Sequence, residues 1–356
     1  MKCIYCNRDS KLTERSNSSC PGCRKAFAFK PTRGDKLTDK AFEAAINGVS
    51  DNGAVRWLPA HLYFEIIRRK LRKGYTRKRV IGFAVVLALI AFFVLIGVYT
   101  PVPFFSVIVL MFGFWTLASW YEESTLLKVL TFRVFSEYLE RWRIAHGKPR
   151  GIIDTRSSVN PPRAIPSELL DYSFDRALIC DRDDIVDFFI ANNFHFENNC
   201  AILGFNRYPI HAFDAVLTML RRNPRLIVVA LHDATPQGCA MAQVLAQSTS
   251  WFKGRARIID VGLRPEHARF FPGLKQPARH AAASGRGIST IEAAFLSKYS
   301  LPLDIIRPAQ LIKRVFRAFH EMESRITLDV GVEVGDTVTN FGSDADVSDG
   351  GADSFG

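Results

Sequence analysis

The chain has 356 residues, long enough for two domains or for one domain with appendages. Its net charge is +12, but seven acids and no Lys or Arg fall between residues 328 and 356, which leaves +19 on residues 1–327. The charge is therefore not uniform, and a basic body is set against an acidic tail.

Residues 1–30 open with two Cys-x-x-Cys pairs, Cys3/Cys6 and Cys20/Cys23, separated by thirteen residues. Two such knuckles can place four thiolates tetrahedrally around Zn2+ at about 2.3 Å each. Gly22 permits a tight second knuckle, and so short a segment has no apolar core, so metal binding would be what folds it. The alternative is a pair of disulfides, which a reducing cytoplasm disfavours. The segment resembles the small zinc ribbons that head many bacterial membrane and regulatory proteins. Some of those bind nucleic acid and many bind protein. Lys2, Arg8, Lys11, Arg15, Arg24, Lys25 and Lys30 suit either partner. Cys180, Cys200 and Cys239 lack ligand spacing and read as core thiols.

Residues 36–79 read as two helices ending in a basic run. Thr38 caps the first, Asp39 lies in its opening turn, Phe42, Ala45 and Ile46 form its apolar stripe, and Asp51-Asn52-Gly53 breaks it. Residues 80–120 follow as a two-helix transmembrane hairpin. Val80–Tyr99 and Val102–Trp120 are uncharged runs of twenty and nineteen residues joined by Thr100-Pro101. At 1.5 Å per residue each spans roughly 30 Å, the thickness of the hydrocarbon layer. The alternative is a pair of buried helices in a soluble core. Residues 68–79 carry eight basic side chains, and Lys128, Arg133, Arg141 and Arg143 follow the second run. The positive-inside rule then puts both termini in the cytoplasm, with the hairpin in the inner or plasma membrane. The run at 68–79 should also attract anionic lipid headgroups. About eighty mostly polar residues precede the first run, so no signal peptide is expected. Neither run holds an ionisable residue, which points to an anchor rather than a transporter or channel.

Residues 121–170 read as a helix over Glu122–His146 and a proline-rich linker. Residues 171–326 then alternate. Apolar strands are expected at 176–181, 200–205, 225–233 and 256–263, with helices at 184–193, 210–222 and 237–247 between them. This is an α/β pattern with a parallel sheet covered on both faces. Two helices follow over 289–323, with Arg307, Lys313, Arg314, Arg317 and Arg325 giving the second a basic face. That face is either solvated or available to lipid headgroups, nucleic acid or the acidic tail. Residues 327–356 are rich in Gly, Ser and Asp and read as a disordered acidic tail.

In such a sheet, ligands bind beyond the carboxyl ends of the strands. Those ends carry Asp181, then Arg207-Tyr208-Pro209, then Asp233-Ala234-Thr235-Pro236-Gln237-Gly238, then Gly262-Leu263-Arg264-Pro265. Asp181 and Asp233 can share Mg2+, and Arg207 and Arg264 can face phosphate oxygens. The same residues are equally ordinary turn and cap chemistry.

The four motifs in order resemble a Toprim domain, the metal-binding fold of topoisomerases, bacterial primases and some nucleases. The nearest version is that of the topoisomerase VI A subunit and its meiotic relatives. The resemblance covers about ninety residues. It implies Asp181 and Asp233 as catalytic magnesium ligands, with Thr235 as a further ligand through its uncharged hydroxyl. It also carries departures. The family's first acid is normally Glu, and Thr235 stands where it has a second Asp. Glu197 and Asp183 are candidates to compensate. The family's tyrosine-bearing winged helix has no counterpart, so covalent strand cleavage is not expected. The chain is therefore read as a membrane-anchored binding or regulatory protein with a degenerate Toprim-like cytoplasmic domain, able to bind nucleic acid or protein. The alternative is a magnesium-dependent nuclease or other phosphoryl-transfer enzyme using Asp181 and Asp233.

Overall fold

The structure is a computed structural model and describes residues 2–15, 18–30, 37–72, 130–154, 174–252, 256–278, 287–328 and 339–340, with Gly113 and Gly254. The chain divides into two compact units, Met1–Gly48 with Leu62–Pro149 and Val49–His61 with Arg150–Gly356. The stretch between the cysteines and the first apolar run is thus shared between the units. The expected hairpin at 80–120 lies outside the described residues, Gly113 excepted. Among the described residues no helix is long and apolar enough to cross a membrane.

The first unit begins with two turns built alike. Cys3 and Cys20 donate their N–H groups to Arg8 and Lys25 carbonyls at 3.1 and 2.9 Å, and antiparallel bridges Lys2–Asp9 and Ser19–Ala26 close the two turns. Asn7 and Arg24, each following the second cysteine of its pair, take left-handed φ of 56° and 58°. Helix α1 (Asp39–Val49) follows, started as expected by Thr38, whose Oγ1 accepts the Ala41 N–H at 3.2 Å. Helix α2 covers residues 59–72, and α3 is Phe132–His146.

The expected single helix over 122–146 is corrected at its start. The Thr131 hydroxyl accepts the Val134 N–H and caps α3, while the preceding Leu130 carbonyl is held at 2.9 Å by the Tyr63 hydroxyl. Thr131 is extended, at φ −69° and ψ 159°, so α3 starts at Phe132, and residues 122–129 of the expected helix lie outside the described residues. Phe135, Tyr138, Leu139 and Trp142, at helical spacing, form its buried stripe. Phe29 and Phe42 complete that core with ring centroids 5.2 Å apart. Each buried ring contributes about 2–3 kcal/mol.

The second unit is a parallel sheet. Its strands are β1 (Arg176–Cys180), β2 (Cys200–Gly204), β3 (Ile227–Leu231) and β4 (Arg257–Asp260), interleaved with helices α4 (Asp183–Ala191), α5 (Phe194–Glu197), α6 (Ile210–Leu220) and α7 (Pro236–Gln247). Every residue of β2 and β3 is buried, which explains why these strands read as unbroken apolar runs. Alternate residues serve two layers. Ala177, Ile179, Val228 and Ala230 pack with Phe213, Leu217, Met241 and Leu245 of α6 and α7. On the other face lie α4, α5 and the later helix α9.

Beyond β4 come the short antiparallel pair β5 (Gln276–Pro277) and β6 (Tyr299–Ser300), helix α8 (Thr290–Leu296) and α9 (Pro308–Leu328). Two residues of the expected disordered tail, Thr339–Asn340, form β7 against Ile259–Asp260. The sheet order is β2-β1-β3-β4-β7. The order reverses between β1 and β3, so a crevice opens at their carboxyl ends, the usual ligand position in a sheet of this kind.

Candidate functional site

Four cysteines from the twin turns of the first unit meet. The Sγ atoms of Cys3, Cys6, Cys20 and Cys23 all lie within 4.8 Å of one another. Cys3 faces Cys23 and Cys6 faces Cys20, each at 3.6 Å. Tetrahedral coordination with 2.3 Å bonds places sulfurs about 3.8 Å apart, so the four thiols can hold a metal ion. All four are free thiols, the state that metal coordination requires. Backbone hydrogen bonds from Cys23 and Gly22 pull Cys20 down to about 6. Cys23, although the Lys25 amide lowers it, is pushed up to about 11 by desolvation and by the other three thiols. Among the described residues this is the group of three or more metal-ligating side chains close enough to share an ion.

At the reversal point of the sheet, the ladder between β1 and β3 continues one step past the strands, with the Asp181 N–H donating to the Leu231 carbonyl at 3.1 Å. Asp181 Oδ2 then accepts the Asp233 N–H at 2.8 Å, so the two sequence-predicted acids are brought together. What lies among the carboxylates is a side chain. Arg182 donates from Nε and Nη2 to both oxygens of Asp184 at 2.9 and 2.6 Å, and from Nη1 to Asp233 at 3.2 Å and Asp304 at 2.6 Å. The second oxygen of Asp233 accepts the Leu303 N–H at 2.7 Å. Both its oxygens are thereby engaged. Asp181 Oδ1, by contrast, is buried with no hydrogen-bond partner.

The electrostatics follow from these contacts. Burial, and then the Asp233 charge, push Asp181 up to about 7. Burial also raises Asp233, against the opposing pull of Arg182. Asp304 is pushed up by burial, yet ends below the usual carboxylate range because the Arg182 charge outweighs it. Beside this cluster opens a cleft of about 470 Å³ walled by Asp154, Asp181, Asp183, Asp184 and Asp187 together with Arg182 and Asn206. So acidic a wall repels a phosphodiester unless a bound cation intervenes.

The remaining predicted residues have other partners. The Thr235 hydroxyl accepts the Gly238 N–H at 3.0 Å and caps α7, with Pro236 at its first position. A Cβ at Gly238 would run into the Asp233 carbonyl oxygen, which is why the turn requires glycine there. Arg264 donates to Asp260 at 2.8 and 3.2 Å and to Glu292 at 3.1 Å. Arg207, exposed and at φ 62°, pairs with Asp214 at 2.7 Å. Asp183 opens α4 and lines the cleft, and Glu197 ends α5.

A second buried network holds the ends of β3 and β4 together. His232 is fully buried, with Nε2 2.8 Å from Asp260 and Nδ1 2.9 Å from the Asp233 carbonyl. Both neighbours accept, so both ring nitrogens carry protons and the ring is cationic. Burial lowers the pKa of this ring, but the Asp260 charge more than offsets it and the net shift is upward. Asp260 is pushed up by burial but held at about 2 by His232 and Arg264. The glycine of the Gly262-Leu263-Arg264-Pro265 segment is explained here as well, because a Cβ at Gly262 would enter the His232 ring.

Compared with protein-family models, curated proteins and solved structures, the chain matches none. Sequence reasoning missed Arg182 and Asp304, the two residues that define the acidic cluster. A basic residue between Asp181 and Asp183 was visible, but its direction depends on Asp304, which lies 122 residues away.

Proposed function

We propose that this chain is a membrane-anchored binding or regulatory protein. In this reading residues 80–120 are the anchor, the four cysteines hold a structural Zn2+, and the α/β unit is a Toprim-like cytoplasmic domain without catalysis. The observation that carries it is the Arg182 guanidinium at 3.2 Å or less from Asp184, Asp233 and Asp304. A side-chain cation already hydrogen-bonds Asp233, one of the two carboxylates that a magnesium ion would need, and offsets part of the cluster's negative charge. With the strand-end cleft acidic, nucleic acid would instead meet the basic surface of the +19 body.

The alternative, a magnesium-dependent nuclease, draws support from Asp181 Oδ1, which is buried without a hydrogen-bond partner. It requires Arg182 to leave Asp233. The two are separated by incubating the full-length protein in detergent micelles with single- and double-stranded DNA and RNA and Mg2+. We expect no cleavage, no saturable magnesium binding by the α/β unit, and nucleic-acid binding that weakens steeply with salt. Cleavage abolished by Asp233→Ala would overturn the reading. Binding that ignores salt would assign the basic surface to a protein partner.

A further inference from the structure

One buried carboxylate ties both cysteine turns of the first unit to α3. Asp39, in the first turn of α1, is fully buried. Its Oδ2 accepts the Ala28 N–H at 2.9 Å and its Oδ1 accepts the Phe29 N–H at 3.1 Å. The same Oδ2 lies 2.6 Å from Nε2 of His146, in the last turn of α3. Nε2 must donate there, since a carboxylate only accepts. The other ring nitrogen, Nδ1, lies 3.2 Å from the Tyr5 hydroxyl. Tyr5 sits between Cys3 and Cys6, and Ala28 and Phe29 follow shortly after Cys23. The two turns therefore converge on one His146–Asp39 pair.

Apolar contacts run along the same line. The Phe29 ring has its centroid 5.6 Å from Tyr138 and 6.4 Å from Trp142, both on α3. The cysteine segment itself owns little core. Besides Phe29, which packs on α3, its buried apolar side chain is Phe27, packed against Cys3, Cys20 and Cys23. Its order thus depends on the centre at one end and on Asp39 at the other.

The energetic link is the cost of stranding Asp39. A buried carboxylate that loses its donors is expensive. Two of the three donors named here are amides of the cysteine segment, and the third is the last-turn imidazole of α3. Metal binding holds those amides in place, and the amides hold Asp39, which in turn holds His146. Coupling of this kind acts equally in both directions.

We propose that Asp39 and His146 couple the metal state of the four-cysteine centre to the packing of α3, so that loss of metal loosens the helix that follows the second apolar run. This rests on the four cysteines binding Zn2+. The device reports metal loss to the helix that follows the proposed anchor, and no active site is involved.

The test uses the full-length protein in detergent micelles loaded with Zn2+. Bound zinc is measured first, then its release to a chromophoric chelator, then amide hydrogen exchange with and without the metal. We expect stripping zinc from the wild type to raise exchange over 132–146 and to leave 176–231 unchanged. His146→Gln should speed zinc release severalfold, less than the roughly 10–100-fold typical of groups hydrogen-bonded directly to a metal ligand, because His146 sits one contact further out. Tyr5→Phe, which loses one hydroxyl and keeps the ring, should speed it less. Zinc that binds and leaves without changing exchange over 132–146 overturns the coupling while the metal reading stands. Failure to bind zinc at all overturns both. The wild-type comparison needs no variant, so misfolding of His146→Gln does not protect the proposal.

Discussion

The two polar centres of the molecule make a useful pair. In the first unit four thiols converge on one another within 4.8 Å. In the second, carboxylates from three separate segments converge on Arg182. Both assemble residues of metal-ligating type, and both stand where a sequence-level argument would place an ion. They differ in what the chain itself supplies to the middle. A set of ligands invites a metal when its charge has no resident counter-ion. When a guanidinium from the same chain makes the hydrogen bonds, part of that charge is already matched.

The strongest way to break this contrast is to remove the metal centre. Cys20→Ser, or a strong chelator, should abolish one equivalent of bound zinc and expose residues 2–30 to protease. Metal binding to such a segment is worth on the order of 10 kcal/mol and is its folding energy. The α/β unit should keep its melting transition. If residues 2–30 stay protected without metal, the centre is not what folds them.

Next in size is Arg182→Ala. It strands Asp184, Asp233 and Asp304 and should cost the α/β unit about 2–4 kcal/mol, toward the lower end for a buried pair because Arg182 is partly exposed. The variant also sharpens the contrast. Once the resident cation is gone, Mg2+ should raise the melting temperature of the variant and leave the wild type unchanged. Equal responses from the two would mean that Arg182 does not stand in for an ion. Gly238→Ala is expected to cost roughly 1–3 kcal/mol, since its Cβ meets backbone that cannot move aside cheaply. The cost should appear as a lower denaturant midpoint with an unchanged slope.

The pH response is subtler. Asp181 titrates near 7 in the folded chain, above its ordinary value, so the folded state holds an extra proton between about 4 and 7. Stability of the α/β unit should fall as pH rises through that window, and Asp181→Asn should flatten the fall. His232 acts in the same sense at higher pH. Its folded pKa is raised, so its contribution is complete below the unfolded value near 6.5 and is lost as pH climbs through the folded one. Denaturation followed from pH 4 to 9 checks both. The smallest effect belongs to Arg207→Ala, which breaks an exposed pair with Asp214 and should change stability by less than about 0.5 kcal/mol.

Much of the α/β unit was legible because its strands are buried on both faces and its helices are amphipathic. Both patterns are local and survive in one dimension. Strand starts and ends came within two or three residues. The cysteine centre was legible for a similar reason, since its spacing encodes its geometry. The acidic cluster was half legible. Asp181 and Asp233 end adjacent strands, and strand ends can be read from apolar runs. Arg182 could not be assigned, because its partner Asp304 is far off in sequence and either face of the sheet was open to it. Thr235 read as an uncharged magnesium ligand in place of a second Asp, whereas its hydroxyl caps α7. Asp39 appeared as a first-turn acid, ordinary at a helix start, and nothing local marked His146 as its partner.

One further consequence lies in the order of synthesis. Residues 49–61 belong with the sheet, yet the two apolar runs are made before the rest of it. Buried Trp57 donates its ring N–H to the Arg150 carbonyl at 3.1 Å, and the Arg56 N–H goes to the side chain of Asn192, 136 residues downstream. At 5–20 residues per second, Arg56 leaves the ribosome on the order of ten seconds before Asn192 exists. By then both apolar runs have emerged. The early strip must wait through that stretch of synthesis for the downstream residues it pairs with. A ribosome stalled after residue 150 but before residue 232 would hold both apolar runs and a half-built sheet, a stage that pulse proteolysis of stalled chains can catch.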